Sequence, residues 1–346
     1  MTAITRVAWL AGLVLFTLSP CAQGRAADTK VGPITACVFS ADGTSLIAAQ
    51  SEAILVLSTR DGTVERREKP DGQRVTSIAL SPDGTLLAVA GGVPGESGRV
   101  LLVDWKSGRV ITSEASFRDI TTSVSFSPDG KTLAAASADA TAGIFSIDST
   151  PQRLQPTRRL EGHAGPVLSV VFGSEGKVVV TASADRSIKV WDTRGGTLKR
   201  TLTNHAAAVN CLASRPPPRG VGADESPPFA CASGADDHTV RVWQPDIGRM
   251  VRIIRGHEGP IFSVCYAPDG SRLYSAGSEG IVRVIGADSD RIEMHWSASP
   301  EWIYTLSVSP DGKQLATGDW AGNVRLWRIG MHTVQLDASY PLTKAN

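Results

Sequence analysis

GHAGPVLSVVFGSEGKVVVTASADRSIKVWD, residues 162–192, decides the fold. It opens with Gly-His and closes with Trp-Asp, and two valine-rich runs and two tight-turn signals lie between. His163, Ser183 and Asp185 are the residue types of a hydrolase triad. The first question is therefore whether this stretch performs chemistry or builds scaffold.

Its internal pattern recurs along the chain. The turn SPDG appears at 81–84, 127–130 and 309–312, with variants at 40–43, 173–176 and 267–270. An alternating apolar run precedes each turn (ITACVF, VTSIAL, TTSVSF, VLSVVF, IFSVCY, IYTLSV) and another follows it. Proline presets φ and glycine permits positive φ, so each unit opens as a β-hairpin. A third strand follows in seven copies: ILVLS, VLLVD, AGIFS, IKVWD, VRVWQ, VRVIG and VRLWR. A fourth, more polar segment such as LKRTLTNH completes the unit.

The first strands begin near Ile34, Val75, Thr121, Val167, Val209, Ile261 and Ile303, at spacings of 41, 46, 46, 42, 52 and 42 residues. Four short antiparallel strands repeated seven times at this period predict an all-β, seven-bladed β-propeller of four-stranded antiparallel blades. One such sheet cannot bury both faces alone; radial stacking buries them all.

Gly162-His163, Gly256-His257 and Trp191-Asp192, with Trp243 and Trp327 at the matching place, resemble the WD-repeat (Trp-Asp repeat) β-propeller family. The resemblance covers roughly residues 30–340 and is strongest in the fourth and fifth units. Label the strands of a blade a to d. The resemblance implies a buried tetrad of His163, Ser183, Asp185 and Trp191, with Trp bonded to Ser, Ser to His and His to Asp. It would brace the end of the propeller where the d–a and b–c connections meet. A buried polar group left unpaired costs about 1–3 kcal/mol, which is the physical reason for such a network. A nucleophilic serine needs an open cleft and an oxyanion hole, whereas Ser183 is expected between packed blades.

Other units keep parts of the set. His205, Asp237 and Trp243 match in the fifth, with Ala235 in the serine place. The third keeps Ser137 and Asp139, with Phe145 for tryptophan and no Gly-His before it. The sixth has His257, with Gly277, Glu279 and Ile285 replacing the rest. The seventh keeps Trp327, with Asp319 and Ala321 out of pattern, and the first and second carry Leu57 and Val103 where Trp would be. Scattering of this graded kind suits a tolerant brace better than a catalytic site.

In the family the same end is the usual partner-binding face. The matching positions are Trp302, Tyr304 and Trp320 in the seventh blade and Phe262 in the sixth, with Asn210 and Asp236 in the fifth and Arg74 in the second. These are the candidates for binding a protein or peptide; clustered, partly exposed aromatics can act as interface anchors. The alternative is that the rings lie down and fill gaps. Residues 91–98 (GGVPGESG) lengthen a b–c loop on that face, and residues 215–228 (RPPPRGVGADESPP) replace an a–b turn on the opposite one.

The N-terminus reads as a signal peptide, residues 1–27: Arg6, then an apolar run of 12 residues from Val7 to Leu18, then Ser19, Pro20 and small residues. It is too short for a stable membrane span. Export to the periplasm or cell exterior is expected, with the propeller over 28–340 and a tail at 341–346; lipid attachment through Cys21 is the weaker option, since Pro20 precedes it. Without residues 1–27 the chain carries 33 basic and 34 acidic residues, so the basic footprint of a nucleic-acid binder is absent. The remaining cysteines, Cys37, Cys211, Cys231 and Cys265, have no C-x-x-C spacing. A Cys211–Cys231 disulfide across one hairpin and four small buried thiols are both open readings.

No H-E-x-x-H, G-x-S-x-G or P-loop occurs, and no cofactor or metal motif. The leading expectation is a non-catalytic, exported protein-interaction scaffold. The alternative is an exported propeller enzyme of hydrolase or lactonase type at the channel mouth, where bound calcium or zinc would distinguish it. A third reading is a sensor or accessory subunit for a redox or envelope complex.

Overall fold

Each blade is built outward from its a–b turn. In the first, Ser40 Oγ donates to Asp42 Oδ1 at 2.6 Å and accepts from the Ser45 N–H at 2.9 Å, while Gly43 takes φ 73°. The same Ser-x-Asp-Gly geometry closes the hairpins at Ser81, Ser127 and Ser309. Serine and aspartate thus satisfy the turn's own backbone. The fourth blade uses a single 3-10 turn, Ser174–Gly176, instead.

The structure, a computed structural model, describes residues 32–70, 73–149, 152–217, 228–330 and 333–341. They form seven four-stranded antiparallel sheets, each from consecutive strands. In the fourth blade strands a to d are Val167–Gly173, Val178–Ser183, Ile188–Asp192 and Leu198–Leu202. Strand b is buried throughout and strand d is largely exposed, the gradient expected when the inner strands are sandwiched between blades and the outer one faces water. Strand a of every blade lies against strand a of the next, and the seventh returns to the first, so the ring is closed.

Among the described residues, closure uses packing without an interlocked strand. The seventh blade takes its four strands from Ile303–Val308, Gln314–Asp319, Asn323–Ile329 and Val334–Pro341. Its fourth strand thus follows directly on its third, as in the other six blades. Ile34, Cys37 and Phe39 of the first blade share a core with Ala316, Val324 and Leu326 of the seventh. A Cβ on Gly318 would stand 2.4 Å from Ile34 Cγ2, so glycine is what lets the two blades meet.

A ring of hydroxyls supplements this packing. The third residue of strand a accepts a hydrogen bond from the fourth backbone N–H of the next strand a: Ser123 from Val170 (3.3 Å), Ser169 from Leu212 (3.1 Å), Ser263 from Leu306 (3.0 Å). The closing joint uses the same device, with Thr305 Oγ1 accepting from Cys37 N at 3.1 Å. Strand a is the inner edge of its sheet, so its outward N–H groups lack a strand partner, and the neighbouring blade supplies one.

The four described cysteines are free thiols. Cys211 pairs in register with Gly234 and Cys231 with Ser214, so the two are not opposite one another. Burial pushes the Cys37 and Cys211 thiols up to about 12. The 91–98 insertion is a lengthened hairpin, paired out to Val93 and Ser97. Residues 1–27, read above as a signal peptide and including Cys21, and residues 218–227 of the proline-rich insertion lie outside the described residues. No helix among the described residues is long and apolar enough to cross a membrane.

Candidate functional site

The polar brace of the fourth blade exists, but its hydroxyl is Thr181 rather than Ser183. Trp191 Nε1 donates to Thr181 Oγ1 at 2.8 Å, Thr181 Oγ1 lies 2.8 Å from His163 Nε2, and His163 Nδ1 lies 2.8 Å from Asp185 Oδ2. With the imidazole proton on Nδ1, each donor meets one acceptor. Ser183 Oγ instead donates to the Gly165 carbonyl at 3.0 Å and accepts from the Asp185 N–H at 3.1 Å. The reason is register. Trp191 stands opposite Val179 on strand b, so its indole reaches the diagonal residue Thr181; Ser183 is two residues further along and turns into the loop.

The fifth blade repeats the relay. Trp243 Nε1 donates to Ser233 Oγ at 2.8 Å, His205 Nε2 lies 2.7 Å from it, and His205 Nδ1 lies 2.8 Å from Asp237 Oδ2. Ala235 therefore replaces nothing; the hydroxyl sits two residues earlier. The sixth and seventh blades also carry it, as Ser275 bonded to His257 (2.8 Å) and Thr317 bonded to Trp327 (3.1 Å). Thr181, Ser183, Ser233 and Ser275 are wholly buried. No serine of the relay meets solvent, and Ser183 makes no hydrogen bond to His163 among the described residues.

Burial alone would raise the Asp185 and Asp237 carboxyls. Hydrogen bonds from His163 and Ser187, and from His205 and Thr239, outweigh it and hold both well below the usual range. Their stabilisation is present above the ordinary carboxylate value and is lost as pH falls below it. His257 differs. Glu279 in the sixth blade is occupied by Arg283 and the Glu258 N–H, so His257 Nδ1 has no hydrogen-bond partner among the described residues. Burial, then the Arg283 charge, lowers its pKa to about 4.

At the channel mouth each strand a carries a bulge after its first residue. The bulged residues are Thr35, Thr76, Thr122, Leu168, Asn210, Phe262 and Tyr304. Thr35, Thr76, Thr122 and Asn210 donate to a carbonyl on the next blade. Phe262 and Tyr304 instead join Trp302 and Trp320. Phe262 stacks on Tyr304 (centroids 5.2 Å apart, 14° between planes), and Trp302 lies 5.8 Å from Phe262 and 6.3 Å from Trp320. All four rings are half-buried. Four of the sequence candidates thus form one cluster across the sixth and seventh blades. Asn210 and Asp236 adjoin it, joined by a 2.7 Å bond. Arg74 is exposed on the second blade and does not belong to the cluster.

No group of three or more metal-ligating side chains is present among the described residues. A family model described as "WD domain, G-beta repeat" matches residues 67–104, 109–146, 154–192, 196–244, 248–285 and 291–328. The chain belongs to the WD-repeat family. Each matched window starts in or beside a strand d and ends in strand c of the following blade, which is why six windows span seven WD-repeat blades. Three relatives illustrate the likeness. The target of rapamycin complex subunit wat1 of Schizosaccharomyces pombe is 29% identical over 202 residues, 56% of this chain and 60% of that protein. A guanine nucleotide-binding protein subunit beta of Arabidopsis thaliana is 26% identical over 182 residues, 49% of this chain and 46% of its own length. The U5 small nuclear ribonucleoprotein 40 kDa protein of Dictyostelium discoideum is 30% identical over 127 residues, 36% and 32% of the two. The match spans less than two thirds of each relative.

Proposed function

We propose that this protein is a non-catalytic interaction scaffold, exported from the cell, that binds a protein or peptide over the end of the propeller bearing the d–a and b–c connections. The observation that carries the reading is the four-ring cluster of Phe262, Trp302, Tyr304 and Trp320, half-buried at the channel mouth on two adjacent blades. Rigid aromatics contribute large contact area at little conformational cost. Two relatives support it through their names, each being a subunit of an assembly. Export rests on the Val7–Leu18 run and the small residues after it.

Site-specific photo-crosslinking tests the surface. Crosslinkers placed at Ser278 and Glu301, beside the rings, are expected to capture a partner in the native envelope fraction, and one at Asp311 on the opposite end is not. Capture from Asp311 alone would sink the assignment. The N-terminal sequence of the native protein tests export: the mature chain is expected to begin between residues 25 and 28, and a chain retaining Met1 in the cytosol would contradict it.

A further inference from the structure

The buried and half-buried carboxylates at the b–c connections share a habit with one exception. Asp139 meets Arg159 at 3.3 Å, Asp185 meets His163 at 2.8 Å, Asp237 meets His205 at 2.8 Å, and Asp319 meets Arg325 at 2.6 Å. Glu279 is gripped by both terminal nitrogens of Arg283. Asp236 has only the Asn210 amide among the described residues. Burial raises its carboxyl above the ordinary value and the Asn210 bond offsets this in part; the titratable groups beside it are His238, which lowers it, and Asp237, which raises it. A desolvated carboxylate without a cation is unfavourable in the isolated fold, and such groups concentrate where function uses them.

Its position supplies the use. Asn210 Nδ2 donates to Asp236 Oδ1 at 2.7 Å and to the Ile261 carbonyl at 3.0 Å. Phe262, the next residue, is the first ring of the cluster. Asp236 therefore stands at the edge of the aromatic surface, and among the described residues its second oxygen accepts no hydrogen bond.

We propose that the partner segment presents a basic side chain to Asp236 while its flanking apolar side chains lie on Phe262, Trp302, Tyr304 and Trp320. An arginine suits the site best, because its planar fork can pair with a carboxylate and its flat face can stack on a ring. The inference rests on the reading of the ring cluster as the partner site.

Calorimetric titration with two tripeptides tests it: acetyl-Leu-Arg-Leu-amide and its counterpart with citrulline, an uncharged near-isostere of arginine. The arginine peptide is expected to bind about tenfold more tightly. Asp236→Asn is expected to abolish that preference, leave the citrulline peptide's affinity unchanged, and melt at or above the wild-type temperature. Equal binding of the two peptides, or a preference that survives Asp236→Asn, overturns the cation assignment and leaves the ring surface standing. Unchanged binding of both peptides to the Trp302→Ala, Trp320→Ala double variant, or binding of neither to the wild type, overturns the ring surface as well.

Discussion

The third and fourth blades build the same corner from different chemistry. In the fourth, His163 and Trp191 meet edge to face at 6.3 Å and both bond to Thr181. In the third, Phe117 and Phe145 meet edge to face at 6.2 Å over Ala135, which occupies the threonine's place. The division extends around the ring. Blades four to seven carry Thr181, Ser233, Ser275 and Thr317 on strand b, where blades one to three carry Ala48, Val89 and Ala135. A corner is thus stable when wholly polar and paired, or wholly apolar. The mixed state is the unfavourable one, because a buried group that loses its partner keeps its desolvation penalty.

The largest expected effect tests that statement. Thr181→Val is close to isosteric and leaves the Trp191 N–H and His163 Nε2 buried without partners. Urea unfolding should show a loss of about 3 kcal/mol. Converting the whole corner, with His163→Phe, Thr181→Ala and Trp191→Phe, should lose less than Thr181→Val alone despite removing more atoms. If the triple variant is the worse of the two, the equivalence of the corners is wrong.

The sixth blade offers the next effect, since its His257 is half-paired. Its pKa falls from the usual 6.5 to about 4 on folding, so the unfolded chain binds the extra proton between those values. Stability is full above pH 6.5 and lost as pH falls toward 4. The loss should reach about 2–3 kcal/mol in denaturant titrations at pH 7 and 4.5, and should shrink in His257→Gln. A His257→Gln protein with the same loss would place the titration elsewhere.

Smaller effects follow at the turns. Ser183→Ala removes a loop bond and a turn cap, outside the relay, and should cost about 1 kcal/mol; a loss equal to that of Thr181→Val would restore Ser183 to the network. Ala140 holds φ 69°, where Gly280 and Gly322 serve the sixth and seventh blades. Ala140→Gly is expected to gain about 0.5 kcal/mol, seen as a small rise in melting temperature.

The blade count and strand order were legible in the sequence because each turn carries its own chemistry: serine and aspartate to pair the turn, glycine for positive φ. The relay was legible only in part. His163, Asp185 and Trp191 fall where the motif places them, but its hydroxyl depends on cross-strand register. Ser183 and Thr181 lie on the same face of strand b, so alternation alone cannot separate them; only the pairing of Trp191 with Val179 does. The hydroxyl ring around the channel went unread although its signal was present. The third residue of strand a is Ser77, Ser123, Ser169, Ser263 or Thr305 in five blades and Cys211 in a sixth, yet it looks like ordinary alternation until neighbouring blades are adjacent. The aromatic cluster was legible because repeat alignment converts sequence position into place on the ring. That Asp236 has no ion-pair partner among the described residues was not, since it depends on where the neighbouring side chains reach.

The most direct test compares the two ends of the propeller in one co-purification. Trp302→Ala with Trp320→Ala alters the ring cluster, while Leu198→Ala with Ile247→Ala removes exposed apolar side chains at the c–d end. Both double variants are expected to fold, with partner capture lost in the first and unchanged in the second. Capture retained without the two tryptophans, or lost without Leu198 and Ile247, would contradict the assignment of the partner surface.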